Sequence, residues 1–158
     1  MAAAERLRVL GFQVTIYDRH DRAGGLMIYG IPNFKLEKDV VLRRWQQYAE
    51  GGIEFRLNCA VGRDISLAEL RGKHAAVLIA TGVYKARDIA APGADLPGVV
   101  PALDFLIASN RKGLGDAVPE FDSGALNAEG RHVVVIGGGD TAMDCVRTAT
   151  RQGAASVT

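Results

Sequence analysis

The clearest chemical signal in this chain is the sequence of residues 133–144, VVVIGGGDTAMD. Within it, Gly137, Gly139 and Ala142 have the G-x-G-x-x-A spacing of folds that bind a dinucleotide. In those folds the first glycine allows a tight turn, the second lets a pyrophosphate approach the backbone, and the third small residue lets the helix pack closely on the strand. The N–H groups at the start of that helix favour a phosphate. We therefore predict a pyrophosphate site here, with a glycine-rich turn that binds no ligand as the alternative.

Asp18 is the second candidate. It follows a predicted strand at residues 12–17, and a helix at residues 2–10 is predicted before that strand. In dinucleotide folds an acidic residue at this point, about 20 residues after the glycine loop, hydrogen-bonds ribose hydroxyls. A helix and a strand are only half of such a unit, so we expect the chain to be truncated at its front. An ordinary aspartate in a turn after a strand is the alternative.

Two more segments are candidates for ligand contact. Gly24 and Gly25 would let the backbone approach a ligand closely, and residues 29–35, YGIPNFK, combine a partly apolar, rigid sequence with one cation. This suits a flat aromatic ring system, although an ordinary loop is an equally simple interpretation. Residues 80–82 lie at the carboxyl end of an apolar run, residues 75–80, which predicts a central parallel strand. Ligands bind at the carboxyl ends of such strands.

The remaining patterns predict elements that alternate between helix and strand. Helices are predicted at residues 37–49, from Ser66 in a capping box with Glu69, from Pro101, and from the glycine turn to about residue 152. Strands are predicted at residues 53–58 and from residue 154. This order predicts an α/β fold containing parts of two Rossmann-like dinucleotide-binding domains, at residues 1–97 and 98–158, truncated at both ends.

Composition excludes several classes of function. The net charge is +1 and no basic cluster is present, so we expect no nucleic-acid partner. No apolar run has the length of a membrane span. Cys59 and Cys145 form no C-x-x-C pair and are expected to be small buried side chains in a reducing, cytoplasmic setting. The three histidines have no metal-ligand spacing, and no nucleophile arrangement is visible. We assign no metal ligand and no catalytic side chain.

The chain resembles one family through these motifs taken in order. The motifs are Asp18 with residues 22–26, residues 29–32, 79–82 and 137–144, supported by TGVYKAR at 81–87 and ASNRKGLG at 108–115. They resemble the small (beta) subunit of bacterial NADPH-dependent glutamate synthase, and the flavoprotein segment of dihydropyrimidine dehydrogenase is similar. The resemblance covers essentially the whole chain. It implies an FAD domain into which an NADPH domain is inserted.

The resemblance also implies roles for individual residues. Asp18 would hold the adenosine ribose of FAD, and Val61 would contact adenine through its backbone. The other residues expected to line FAD are Gly24, Gly25, Leu26, Gly30, Ile31, Pro32, Lys35, Ala80, Thr81 and Gly82. Of these, Gly30, Ile31, Pro32 and Lys35 would approach the flavin end. The residues expected to bind the NADPH pyrophosphate are Gly137, Gly138, Gly139, Asp140, Thr141 and Ala142, with Asp140 and Thr141 where nicotinamide meets flavin.

The implied activity is hydride transfer from NADPH to FAD, followed by electron transfer to iron–sulfur clusters for glutamate formation on a large (alpha) subunit. The family's first glycine loop and its iron–sulfur ligands are not in this chain, so we expect the isolated chain to be inactive. Two alternatives remain at this point. One is a related NADPH-dependent flavin reductase with another acceptor, and the other is a catalytically inactive fragment.

Overall fold

The computed structural model of the protein describes residues 1–84 and 89–158. Contacts between Cα atoms divide the chain into two compact units. The first unit contains Met1–Ile28 and Asp39–Tyr84, and the second contains Tyr29–Lys38 and Lys85–Thr158. The predicted boundary between residues 97 and 98 refers to the FAD and NADPH domains that the resemblance implies, and it stays a prediction.

The first unit is built on two parallel strands. Helix α1 (Ala2–Val9) precedes β1 (Val14–Tyr17), and β1 pairs with β2 (Ile53–Arg56) in a register that places Val14 opposite Ile53. Between these strands lie a single helical turn, α2 (Leu26–Tyr29), and helix α3 (Lys38–Glu50). Parallel strands run in the same direction, so the chain must return to the starting edge of the sheet between them. A tight turn cannot do this, and a long crossover is needed. The core of this sheet contains Ala4, Tyr48 and Ile53.

The second unit is built on a short parallel pair joined by a helix. Its elements are α5 (Ala102–Gly113), α6 (Pro119–Asp122), β3 (His132–Val133), α7 (Asp140–Arg151) and β4 (Ser156–Val157). β3 and β4 are parallel, and their ladder continues where Val135 N–H donates to the Thr158 carbonyl at 2.7 Å. α7 packs against α5 through a buried face. The predicted strand–glycine turn–helix–strand order is therefore confirmed, but the strand before the turn, which was expected to be buried over residues 133–136, is limited to His132–Val133, and Val134 and Ile136 are each 74% exposed.

Local signals in the sequence predicted the helices well. Ser66 accepts a hydrogen bond from Glu69 N–H at 3.1 Å, and the Glu69 carboxylate accepts one from Ser66 N–H at 2.9 Å, which is the predicted capping box. It begins α4 (Leu67–Lys73). Gly11 follows α1 with φ of 91°, a conformation that glycine adopts without strain. Among the described residues, no helix combines the length and apolarity needed to cross a bilayer.

The prediction of a buried central strand at residues 75–80 is wrong for this structure. These residues form no strand, and the side chains of Leu78 and Ile79 are 69% and 68% exposed. A central strand is stable only when both of its edges are paired. In the part of the chain that the structure describes, the sheet of the first unit consists of β1 and β2. The apolar run consequently lies on the surface.

Candidate functional site

The glycine turn before α7 has the backbone geometry that its spacing predicted. Gly137 has φ of 143°, a conformation that residues with a side chain rarely adopt. A Cβ atom at Gly137 would lie 3.3 Å from the Cβ atom of Ala142, tighter than an ordinary contact. The first glycine and the third small residue of the motif therefore pack against each other, and this contact places the start of α7 close to the end of β3.

The two following glycines leave open space beside the backbone. A Cβ atom at Gly138 or Gly139 would have no heavy atom within 4 Å. Gly139 is the N-cap of α7 and provides no side chain to bond the first helical N–H groups. Those N–H groups have no partner within the helix, and the helix dipole adds positive potential at the same place. The turn thus has the shape and the donors that a pyrophosphate requires.

The Tyr29–Lys38 segment belongs to the same unit as this turn. Asn110 on α5 donates a hydrogen bond to the Tyr29 carbonyl at 2.8 Å, and the Lys38 ammonium donates to the Ile31 carbonyl. The Arg151 guanidinium lies over the Phe34 ring at 3.9 Å from the ring centre. Burial lowers the pKa of Lys38 to about 8. These contacts fix a segment that has little regular secondary structure.

Lys35 and Asp144 form an ion pair within the second unit. The Lys35 Nζ atom lies 2.9 Å and 3.0 Å from the two carboxylate oxygens of Asp144. The Asp144 side chain is 8% exposed and that of Lys35 is 36% exposed. Burial, and secondarily the charge of Asp144, raises the pKa of the neighbouring Cys145 thiol to about 11. The thiol therefore stays protonated at neutral pH.

Asp18 follows β1 in the first unit, as predicted. Its Oδ1 atom accepts a hydrogen bond from His20 N–H at 3.0 Å and lies 2.9 Å from His20 Nδ1. The ring of Tyr84 lies near His20, with 5.9 Å between ring centres, and the Arg19 guanidinium lies 4.3 Å from the centre of the same Tyr84 ring. The carboxylate is thus oriented by the turn that follows the strand.

The glycines predicted to contact FAD in the first unit have different surroundings. At Gly24 a Cβ atom would lie 2.9 Å from Val41 on α3, so this glycine is required for packing. Gly25 and Gly82 have φ of 55° and 72°, and a Cβ atom at either would meet only Tyr84, at 3.9 Å and 3.8 Å. Gly25 and Gly82 therefore both lie close to the half-buried Tyr84 side chain, where a ligand could approach their backbone.

The structure distributes the predicted residues between the two units. The first unit holds Asp18, Gly24, Gly25, Leu26, Val61, Ala80, Thr81 and Gly82, and the second holds Gly30, Ile31, Pro32, Lys35 and residues 137–142. Leu26, Val61, Ala80 and Thr81 are exposed. Sequence reasoning gave no individual role to the residues that orient these candidates, which are His20, Tyr84, Asn110, Asp144 and Arg151, although Tyr84, Asn110 and Asp144 lie within the motifs that carried the resemblance. Of the stretch TGVYKAR, residues 85–87 lie outside the described residues.

Comparison with known proteins supports the family to which the sequence motifs pointed. The family model described as pyridine nucleotide-disulphide oxidoreductase matches residues 1–158. The glutamate synthase [NADPH] small chain of Azospirillum brasilense is 63% identical over 157 residues, covering 99% of this chain and 33% of that protein. The oxidoreductase AegA of Escherichia coli is 47% identical over 159 residues, covering 100% of this chain and 24% of that protein. The chain thus spans a third or less of these relatives.

Solved structures support the fold. FprA from Mycobacterium tuberculosis, in its His57Gln mutant, superposes with a TM-score of 0.77 at 23% identity, covering 99% of this chain and 39% of FprA. FprA in complex with NADPH superposes with a TM-score of 0.72 at the same identity, covering 92% of this chain and 36% of FprA. At this level of identity the likeness concerns the architecture alone.

Proposed function

This chain belongs to the pyridine nucleotide-disulphide oxidoreductase family, and we propose that it forms part of the electron-entry module of a glutamate synthase. The module would pass a hydride from NADPH to FAD and electrons onward to iron–sulfur clusters. The small chain of Azospirillum brasilense, at 63% identity, supports this choice among the family's reactions. The partner would be the large subunit, in the cytoplasm.

The observation that carries the proposal is the geometry of residues 137–142. The Gly137 backbone turns where a side chain would be strained, and Ala142 packs against it. The space beside Gly138 and Gly139 is open, and no side chain of Gly139 caps the N–H groups at the start of α7, which have no partner within the helix. The role of these residues is to bind and orient the dinucleotide through its pyrophosphate. The cofactors would supply the chemistry, in which NADPH donates a hydride and FAD accepts it.

Asp18 and the Tyr29–Lys38 segment would hold FAD. The contacts of Asp18 with His20 use Oδ1, so Oδ2 is the oxygen that would accept a hydrogen bond from a ribose hydroxyl. Gly25 and Gly82 would let the backbone approach the same cofactor. In the second unit, Gly30 and Pro32 are buried members of the segment, and the backbone around Ile31 and Lys35 would lie nearest the flavin end. None of these residues exchanges a proton in the proposed role.

A related flavin reductase with a different electron acceptor is the second candidate. AegA supports it, because an oxidoreductase that is not named a glutamate synthase is 47% identical to this chain. The residues described above would perform the same binding in both cases, since the acceptor is reached after the flavin. The candidates therefore have to be distinguished by the activity of a larger protein that contains this chain.

A chimera provides the test. In this chimera the 158-residue chain replaces the matching residues of the Azospirillum brasilense small chain. We expect the chimera to bind FAD, to show bleaching of the flavin absorbance when NADPH is added anaerobically, and to form glutamate with the large subunit. Flavin reduction without glutamate formation would favour the second candidate. A chimera that folds and binds FAD but is not reduced by NADPH would contradict the proposed function.

A further inference from the structure

The contact between Lys35 and Asp144 is not a requirement of the glycine motif. The motif needs small residues at positions 137, 139 and 142, whereas Asp144 lies further along α7 with its carboxylate buried. The Lys35 ammonium contacts both carboxylate oxygens. A buried carboxylate without a partner is strongly unfavourable, so this pair constrains where Lys35 and the segment around it can lie.

The pair is one of four described attachments of the Tyr29–Lys38 segment to the helices of its unit, one of which is the Arg111 guanidinium of α5 over the Tyr29 ring at 5.4 Å from the ring centre. Asn110 on α5 holds the Tyr29 carbonyl, and Arg151 at the end of α7 lies over Phe34. Lys35 makes the attachment to the early part of α7. This early part of α7 directly follows the open glycine turn. The ion pair therefore joins the segment to the helix turns nearest the proposed pyrophosphate site.

We propose that Lys35 is a positioning residue whose ion pair with Asp144 aligns the Tyr29–Lys38 segment with the start of α7 for hydride transfer. The inference rests on the proposed function, in which the segment contacts the flavin end of FAD and α7 carries NADPH. Hydride transfer requires the reacting atoms to be held about 3–3.5 Å apart with correct alignment. A small displacement of the segment along α7 is sufficient to disturb that alignment.

The test compares Lys35→Met, Lys35→Arg and Asp144→Asn in the chimera. The readouts are the rate of flavin reduction at saturating NADPH and the long-wavelength charge-transfer absorbance, which reports stacking of nicotinamide on flavin. We expect Lys35→Met to lower the rate at least tenfold and to lose most of the charge-transfer absorbance. Lys35→Arg keeps the charge and is expected to retain more than half of both signals. Asp144→Asn is expected to lower both.

The double variant Lys35→Met with Asp144→Asn separates the pair from independent effects. Residues that act as a unit give a double variant no worse than the worse single variant. The matched control is Lys112→Met, which breaks an exposed ion pair with Asp122 (2.5 Å, side chains 43% and 51% exposed) in the same unit. We expect this control to keep the wild-type rate and absorbance.

Three results would overturn the inference. One is a folded Lys35→Met chimera with the wild-type rate and charge-transfer absorbance. Another is a loss that Lys112→Met shares. The third is a double variant with multiplied losses, which would mean that Lys35 acts on a cofactor directly. If Lys35→Met does not fold, Asp144→Asn carries the test, and wild-type signals in that variant overturn the inference. If the unsubstituted chimera is not reduced by NADPH, the proposed function itself fails.

Discussion

At the scale of the residue, the buried amine of Lys38 makes stability depend on pH. Burial lowers its pKa in the folded protein from 10.5 to about 8. Between these values the unfolded chain binds more protons at this group than the folded protein does. The free energy of unfolding therefore rises, through this group, as the pH increases from about 8 to about 10.5. Below about pH 8 this gain is absent, because the Lys38 amine is then charged in the folded and in the unfolded protein.

This pH dependence predicts the behaviour of Lys38→Met. We expect the melting temperature of the unsubstituted chimera to rise relative to that of Lys38→Met between about pH 8 and about pH 9.5. Calorimetry at several pH values measures the difference, and Lys112→Met, at an exposed site, controls for the loss of a lysine. A difference that stays constant across this range would show that Lys38 has an ordinary titration in the folded protein.

At the scale of the element, helix α4 depends on its capping box. Ser66→Ala removes the acceptor for Glu69 N–H, and the loss of such a cap costs about 1 kcal/mol. We expect a lower urea midpoint for the cooperative unit that contains α4. Ser123→Ala is the matched control, because Ser123 is an exposed serine that caps no helix N-terminus. Equal midpoints for both variants would mean that the capping box contributes nothing measurable.

The elements also explain how far the sequence predicts this structure. The capping box and the glycine turn before α7 are local patterns, and each was found where the sequence placed it. The run at residues 75–80 was interpreted wrongly because a strand depends on partners elsewhere in the chain. The same reason accounts for the missed residues around the site. The pairs Lys35 with Asp144 and Asp18 with His20 depend on folding and not on spacing within a motif.

At the scale of the whole molecule, exposed apolar side chains predict self-association of the isolated chain. Leu78 and Ile79 are 69% and 68% exposed, and Val134 and Ile136 are each 74% exposed. Exposed apolar side chains of this kind favour association with another chain. We expect sedimentation velocity to show oligomers of the 158-residue chain that decrease when Leu78 and Ile79 are replaced by lysine. A stable monomer without these replacements would contradict this prediction.

The central claim for the whole molecule is that residues 137–142 bind the pyrophosphate of NADPH, and Gly139→Val in the chimera tests it most directly. The open space beside Gly139 means that the new side chain would fill ligand space without displacing protein atoms. Gly72→Val is the matched control, since a Cβ atom there also meets no heavy atom within 4 Å, far along the chain from the motif. Titration with NADPH, followed by fluorescence, gives the affinity of each variant. The account predicts that Gly139→Val abolishes NADPH binding while Gly72→Val leaves it unchanged, and an unchanged affinity in a folded Gly139→Val chimera would contradict it.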